Sequence, residues 1–270
     1  MPIDTESTHG LTDNRGPLLL NMWDSEQTCL DLTVEPTLRV YLLGLVDFEV
    51  ALALQRRLVY EVSGDRSSAA LVLCEHPPLI TVGRRGSWAH IRWDAKDRDA
   101  GCVPLRWVNR GGGCVLHVPG QVAIYPILAL DRLGLSIGGY LERLRAAVFG
   151  LLDNFGIRGT VFPGHTGVCI QTRPIAEVGI AVRDWVTYFG AALNVNPDLG
   201  LFRRVCSCVE GCGSMTSIER ERHGPLRPSL VRELLIEEVA QNFGFTKTLL
   251  FSDHPLLKRK ASQDALASLT

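Results

Sequence analysis

The sequence has no excess of either charge and no long apolar run. Lysine and arginine number 28 against 29 aspartate and glutamate, which gives a formal net charge of -1 at pH 7. This balance argues against a surface that binds nucleic acid or membranes through charge. The longest core-like apolar run, Val122–Leu130, is interrupted by Pro126 and is far too short to span a bilayer. We therefore expect neither a nucleic-acid nor a membrane partner.

The sequence also lacks a secretory signal and a dense cysteine framework. The segment 1–17 is polar and has no basic stretch followed by an apolar one. Eight cysteines in 270 residues are too few to staple the whole chain with disulfides. Cys74 and Cys169 lie inside apolar, strand-like runs and are predicted to be small buried hydrophobic residues. A reducing, cytoplasmic location is expected.

Hydrophobic periodicity predicts strands and helices through the body of the chain. A capping-box spacing from Thr216 to Glu219 also indicates the start of a helix. The other predicted helices lie between Asp47 and Gly64, between Ser136 and Gly156, at 197–202 and at 230–243. The predicted strands lie at 39–45, 69–74, 79–82, 158–162, 167–170 and 175–187.

These elements favour one α+β domain. Strands that follow one another with few crossover helices indicate a mixed sheet flanked by helices, and not a doubly wound dinucleotide fold. A hydrophobic content of 46% is enough for a substantial core, and no repeat or low-complexity linker divides the chain. We predict a weakly ordered N-terminal extension over 1–35, a single domain over 36–250 and a polar C-terminal tail over 251–270.

Two segments carry small residues that suit a ligand site. The first, RGGGCVLHVPGQ at 110–121, has glycines after a strand, where the backbone approaches a ligand closely and exposes N–H groups. It matches neither GxGxxG before a helix nor GxxxxGK[ST], so a phosphate-binding loop is excluded. The second, GAALNV at 190–195, leaves a strand and suits the floor of an apolar slot. Each segment is equally consistent with a structural turn.

A third segment, 206–213, holds Cys206, Cys208 and Cys212. Zinc sites need four ligands, and His165 and His223 are the available additions, so a metal site is disfavoured. A redox pair or a nucleophile is also consistent with this spacing. A nucleophilic thiol requires a lowered pKa, which a helix N-terminus or a neighbouring cation supplies. The residues alone leave a structural role open for each cysteine.

Seven short segments occur in one order along the chain. They are ALALQ at 51–55, EHPP with TVGR at 75–84, RGGGCVLHVPGQ with YP at 110–126, TGV at 166–168, GAALNV at 190–195, FRRVCSC at 202–208 and TSI at 216–218. In this order they resemble the lipoyl(octanoyl) transferase family over roughly residues 38–245. The resemblance implies the fold of the catalytic domain of biotin and lipoate protein ligases.

The resemblance also implies an acyltransferase of lipoate biosynthesis that needs no cofactor. Cys208 would attack the octanoyl thioester of octanoyl-acyl carrier protein and form an acyl-enzyme. The acceptor would be the lysine of a lipoyl-domain protein, such as the glycine cleavage H protein or 2-oxoacid dehydrogenase E2 subunits. The family's substrate-binding stretches fall on Arg110, Gly111, Gly112, Gly113, Cys114, Val115, Leu116, His117, Glu177, Val178, Gly179, Gly190, Ala191 and Ala192.

The chain departs from the family at the position of a lysine that accompanies the cysteine, which here is Pro174. Arg173 and His165 are the candidates for activating the thiol in its place. Val118 stands where the family has a glycine, and a valine at positive φ would be strained. A divergent, non-catalytic protein that binds acyl groups or lipoyl domains is the alternative. An ATP-dependent ligase is less favoured, because those relatives also use a lysine in this strand.

Overall fold

The computed structural model describes residues 36–91, 103–205 and 213–254. The four helices of this part of the chain are α1 (Phe48–Gly64), α2 (Ile137–Asp153), α3 (Ile218–Arg222) and α4 (Pro228–Phe243). Its ten strands are β1 (Thr37–Leu45), β2 (Ala70–Glu75), β3 (Leu79–Val82), β4 (Leu105–Trp107), β5 (Cys114–His117), β6 (Gln121–Ile127), β7 (Val168–Ile170), β8 (Arg173–Arg183), β9 (Val186–Asn194) and β10 (Lys247–Phe251).

The strands form one large mixed sheet and one small sheet. The large sheet has the order β10-β1-β2-β6-β9-β8-β7, in which β1 runs parallel to both β10 and β2. The pairs β2–β6, β6–β9, β9–β8 and β8–β7 are antiparallel. The small sheet has the order β4-β3-β5. The predicted mixed sheet is confirmed.

Local sequence signals set the helix ends. The Asp47 side chain accepts hydrogen bonds from the backbone N–H groups of Glu49 and Val50 at the start of α1. Ser136 accepts the N–H of Gly139 in the same way at the start of α2. Both capping predictions are confirmed, because a side-chain oxygen at this position satisfies backbone donors that the first turn leaves without partners.

The core has layers on both faces of the large sheet. One face packs against α2 and α4 through fully buried side chains that include Leu144 and Leu235. The other face packs against α1, where Leu54 and Leu58 are fully buried. The small sheet has its own cluster around Ile80, and it lies on the same side of the large sheet as α1. In the described ranges, no helix is both long and apolar enough to cross a bilayer.

The predicted strand at 175–187 is wrong in its extent, because the chain turns back within it. Strands β8 and β9 form a hairpin whose turn is made by Asp184 and Trp185, with φ of 50° and 61°. Two-residue turns with positive φ at both positions favour asparagine or aspartate followed by glycine, and this turn was not predicted because Trp185 stands in place of the glycine. As a consequence, the small residues at 190–195 lie mostly within β9 and do not leave a strand.

Three smaller expectations also differ from the structure. The residue that caps α3 is Ser217, whereas the Thr216 hydroxyl donates to the Glu221 carboxylate. The predicted strand at 158–162 is reduced to one bridge at Thr160. Strand β10 was not predicted, because all five of its residues are exposed and show no alternation of apolar and polar residues. The predicted extension over 1–35 and most of the tail lie outside the described residues, so those domain boundaries stay predictions.

Candidate functional site

A cleft lies between the large sheet and the small sheet, with about 310 Å³ of empty space when its solvent-open mouth is included. Strands β3 and β5 form one wall, β6, β8 and β9 form the other, and α1 closes one end. The lining residues are Phe48, Thr81, Arg110, Val115, His117, Tyr125, Glu177, Gly179, Phe189, Gly190, Ala191 and Ala192. Eight of these were predicted as substrate-binding residues, so the fold brings the three predicted stretches together.

The floor of the cleft is built from glycine and alanine because backbones approach closely there. Gly179 pairs with Gly190, and Glu177 pairs with Ala192, across β8 and β9. A Cβ atom on Gly179 would lie 2.5 Å from the carbonyl oxygen of Gly111, and one on Gly190 would overlap the carbonyl of Ile124. Small residues at these positions leave room for a ligand without opening the sheet.

The glycine loop at 110–113 joins the two walls. The N–H of Gly111 donates to the carbonyl of Ile180 in the large sheet at 2.8 Å. On the other side, the carbonyls of Gly112 and Gly113 accept N–H groups from Arg85 and Gly83, both at 3.0 Å. Gly112 has a φ of 83°, which favours glycine. The loop is therefore held rigidly over the cleft.

A buried chain of hydrogen bonds runs from Arg110 to His117. The Arg110 Nη2 group donates to the Thr81 hydroxyl at 2.7 Å, and that hydroxyl lies 3.1 Å from Nε2 of His117. The Thr81 hydroxyl has two acceptors in reach, Nε2 of His117 at 3.1 Å and the Val115 carbonyl at 3.5 Å. We assign its proton to the shorter bond, which leaves the imidazole proton on Nδ1. Nδ1 is buried and has no hydrogen-bond partner within 3.5 Å among the described residues. Burial, His76 and the Arg110 charge all lower the pKa of His117 and outweigh the nearby Gln121 side chain, which raises it, so the imidazole ring is neutral at pH 7.

His76 and Tyr125 form a second buried pair, which was not predicted. His76 Nδ1 lies 2.8 Å from the Val46 carbonyl, so it donates there, and Nε2 accepts from the Tyr125 hydroxyl at 2.9 Å. Burial lowers the pKa of His76 and raises that of Tyr125. The EHPP segment was the available signal, since a histidine before two prolines is held in a fixed turn.

Glu177 and His165 form a pair at the edge of the cleft. His165 is buried, and its Nε2 lies 3.2 Å from Oε1 of Glu177. Its Nδ1 faces the N–H of Gly167 at 3.1 Å and Sγ of the buried Cys169 at 3.7 Å. Burial lowers the pKa of His165, but the bonds with Cys169 and Glu177 and the Glu177 charge outweigh this and raise it. The Gly167 N–H opposes that shift, because protonation would place two N–H groups face to face.

Arg173, a predicted thiol-activating cation, is already paired. Its guanidinium donates to both carboxylate oxygens of Glu221, at 3.0 and 2.9 Å. The hydrogen bonds and charge of Glu221 raise the pKa of Arg173. Burial raises the pKa of Glu221, but the bonds from Arg173 and Thr216 outweigh it and lower that pKa. The register between β7 and β8 shifts between Val168 and Cys169, and the bound carboxylate balances the Arg173 charge.

Several predicted site residues face away from the cleft or lie outside the described part of the structure. The side chains of Cys114 and Leu116 lie in the small-sheet cluster, and that of Val178 lies in the main core. Cys74 and Cys169 are buried free thiols, as predicted. The segment 206–212, with the predicted nucleophile Cys208, lies outside the described residues. Within the described ranges, no group of three or more suitable side chains is arranged to hold a metal ion.

The expected strain at Val118 is wrong, because Val118 does not have a positive φ. Beside the cleft floor it is Phe189 that has a positive φ, of 56°, which strains a residue with a side chain. Its N–H donates to the buried side chain of Gln55 at 2.8 Å. This bond gives the glutamine of the ALALQ segment a role, since it holds the bend in β9 that brings Phe189 to the cleft.

The sequence is similar to a family of catalytic domains and to individual enzymes. The profile of the lipoyl protein ligase A/B catalytic domain matches residues 47–244. The octanoyltransferase of Geotalea uraniireducens (strain Rf4) is 37% identical over 186 residues, covering 68% of this chain and 83% of that protein. The octanoyltransferase of Roseiflexus sp. (strain RS-1) is 39% identical over 211 residues, covering 77% of this chain and 88% of that protein.

Solved structures share the fold at much lower identity. A lipoate-protein ligase A bound with ATP has a TM-score of 0.66 at 17% identity, covering 83% of this chain and 92% of that one. A structure of the lipoylation system of Thermoplasma acidophilum, a bi-partite lipoate protein ligase and its lipoyl domain, has a TM-score of 0.59 at 17% identity, covering 83% and 90%. These values confirm the predicted α+β ligase-like fold.

Proposed function

This chain belongs to the family of lipoyl protein ligase A/B catalytic domains and is an octanoyl- or lipoyl-transferring enzyme, and we propose that it moves the acyl group from acyl carrier protein to a lysine of lipoyl-carrying domains through a thioester on Cys208. The acceptors would be proteins such as the glycine cleavage H protein and the E2 subunits of 2-oxoacid dehydrogenases. The cleft between the two sheets is the observation that supports this proposal best.

The shape and lining of the cleft suit a medium acyl chain. Gly179, Gly190, Ala191 and Ala192 give a floor without bulky side chains, and Phe48 adds an apolar end. An aliphatic chain placed there leaves water for apolar surface, which is favourable by about 0.8 kcal/mol for each buried CH₂ group. A slot of this kind holds the acyl group while its carbonyl end stays near the glycine loop.

The polar groups of the cleft suit the carbonyl end of a thioester. Attack on a thioester places negative charge on the carbonyl oxygen, and a positioned donor there is worth about 3 kcal/mol. The neutral His117 lines the cleft, and Arg110 supplies positive charge one hydrogen-bonded residue away. These two residues would stabilise the oxyanion when the acyl group enters and again when it leaves.

The chemistry needs no ATP, because both steps run from an activated acyl group. Exchange between two thioesters is nearly thermoneutral, and aminolysis of a thioester to an amide is downhill. The family lysine is replaced by Pro174, and Arg173 is paired with Glu221. A cysteine thiol with a pKa of about 8.5 is still a few per cent thiolate at pH 7, so the reaction proceeds at a reduced rate.

Mass spectrometry of the intact protein tests the thioester. Incubation with octanoyl-acyl carrier protein should give an octanoyl adduct on Cys208 that Cys208→Ala abolishes. Cys206→Ala and Cys212→Ala are the matched controls, and both should keep the adduct. Absence of an adduct at every pH up to about 9, where the thiol is ionised, would end this proposal. Binding of the octanoyl carrier protein without transfer, unaffected by Cys208→Ala, would instead support a non-catalytic acyl-binding protein.

A further inference from the structure

The acceptor lysine reaches the cleft as an ammonium and must lose a proton before it attacks. A lysine side chain has a pKa of about 10.4, so very little of it is free amine at pH 7. Positive nitrogen has no lone pair and cannot attack a thioester. Some group beside the acyl carbonyl must therefore take that proton. This requirement rests on the function proposed above.

Among the described residues that line the cleft, the ionisable groups are Arg110, His117, Tyr125 and Glu177. Arg110 is always protonated and accepts nothing. Tyr125 is a neutral phenol whose proton is donated to His76. His117 already has Nε2 occupied by the Thr81 hydroxyl, and the proton on Nδ1 makes that atom a donor. Glu177 is the remaining group that accepts a proton.

The structure places the Glu177 carboxylate suitably for this task. Glu177 lies on β8, two residues from Gly179 and directly across from Ala192, so it is next to the floor of the acyl slot. Its Oε1 accepts a hydrogen bond from buried His165, and no bond from any described residue reaches Oε2. Its side chain is 23% exposed, so an entering ammonium can reach it.

We propose that the Glu177 carboxylate binds the ammonium of the acceptor lysine and accepts one proton from it, while His165 holds that carboxylate in place. The freed amine then attacks the thioester carbonyl, and a C–N bond forms. The tetrahedral intermediate breaks its C–S bond, and the second amine proton goes to the departing sulfur, which regenerates the thiol. Glu177 returns its proton to water. The products are the amide, the free thiol and the starting carboxylate.

His165 acts as a positioning residue in this step. It is buried, and its Nε2–H points to Oε1 whichever state Nδ1 is in, so it fixes one carboxylate oxygen and leaves the other for the ammonium. The Gly167 N–H and the Thr166 hydroxyl, which donates to the Val178 carbonyl at 2.8 Å, fix the loop that carries the ring. The arrangement is therefore set by backbone contacts around the cleft.

The decisive experiment separates the two half-reactions in wild type and Glu177→Gln. Glutamine keeps the shape of the side chain and an oxygen that accepts from His165, but it takes no proton. Acylation by octanoyl-acyl carrier protein should fall far less than lysine transfer does, because no ammonium takes part in acylation. Transfer from the isolated acyl-enzyme to a lipoyl domain should fall about 100-fold or more, as removal of a general base does. Glu142→Gln, an exposed carboxylate on α2, is the matched control.

Hydroxylamine gives an independent reading of the same variant. This amine is already uncharged at pH 7, so it needs no base, and it should remove the octanoyl group from wild type and Glu177→Gln at equal rates. The lysine transfer of Glu177→Gln should also rise about tenfold per pH unit towards the lysine pKa of about 10.4, where free amine becomes available. Wild type should show a much weaker rise.

His165 variants test the positioning role. His165→Gln retains an N–H donor and should keep most of the lysine transfer, whereas His165→Leu should lose about tenfold in kcat while its hydroxylamine reaction is unchanged. Equal lysine transfer in Glu177→Gln and wild type would overturn the assignment of Glu177. An equal loss with hydroxylamine would also overturn it, because the defect would not concern the proton. If wild type itself forms no acyl-enzyme, the proposed function fails first.

Discussion

Gly179→Ala should displace the glycine loop and lower the transfer activity while the protein stays folded. An alanine Cβ there would lie 2.5 Å from the Gly111 carbonyl oxygen and 3.2 Å from Nη1 of Arg110. Ordinary contact begins near 3.4 Å, so the loop has to recede by about 0.9 Å, and a misplacement of about 1 Å can cost a rate factor of 100. The bond from Gly111 to Ile180 would be strained or lost, which costs about 1 kcal/mol of stability.

The assay is octanoyl transfer from acyl carrier protein to a lipoyl domain, followed by mass spectrometry, with thermal unfolding in parallel. We expect kcat/KM to fall about 100-fold while the protein stays folded. Gly138→Ala is the matched control, because its Cβ would meet nothing closer than the Ser136 hydroxyl at 3.7 Å. Transfer by Gly179→Ala within about threefold of wild type would refute the argument that this loop's position governs the reaction.

Three further outcomes concern stability. Burial lowers the pKa of His76 and His117, so the unfolded chain binds more protons than the folded one below about pH 6.5. The free energy of unfolding measured in urea should therefore fall as the pH drops below about 6.5, by at most about 1.4 kcal/mol per pH unit for each of these histidines, while the raised pKa of His165 offsets a smaller part of the loss. A flat profile would contradict this. Glu221→Gln removes the bidentate ion pair and should lower the free energy of unfolding by about 1 kcal/mol in the same assay at pH 7. An unchanged free energy of unfolding would count against a structural role for the pair. Leu144→Ala should lower the free energy of unfolding by about 2–5 kcal/mol, because the Leu144 side chain is fully buried between α2 and the sheet. A smaller loss would mean that the surrounding core collapses into the cavity.

The sequence predicted the parts of the fold that follow local rules. Helix α1 and helix α2 have capping residues and apolar faces in the sequence, so their ends were close to the observed ones. The three substrate-binding stretches were also identified, because glycine and alanine in strands mark places where backbones or ligands approach closely. Their meeting in one cleft needs the sheet order, which no local pattern contains.

The remaining features depend on contacts between distant residues. The turn at Asp184 and Trp185 lacks the glycine that marks such turns, so only the pairing of β8 with β9 reveals it. Arg173 looked available as a cation because its partner, Glu221, lies 48 residues later. The pair of Glu177 and His165 was hidden in the same way, since the spacing of a strand and a loop predicts no hydrogen bond.

The parallel pairing of β1 with β10 has a consequence for how the chain folds. Thr37 faces Lys247, so this edge of the sheet joins segments about 200 residues apart in sequence, a separation that slows folding. The antiparallel centre, from β6 through β9 to β8, joins nearer segments and is expected to assemble first. Synthesis from the ribosome would then complete the interior strands before this edge closes. A circular permutant that joins residue 254 to residue 36 through a linker long enough to run back along the parallel pair should reverse that order and still reach the same sheet.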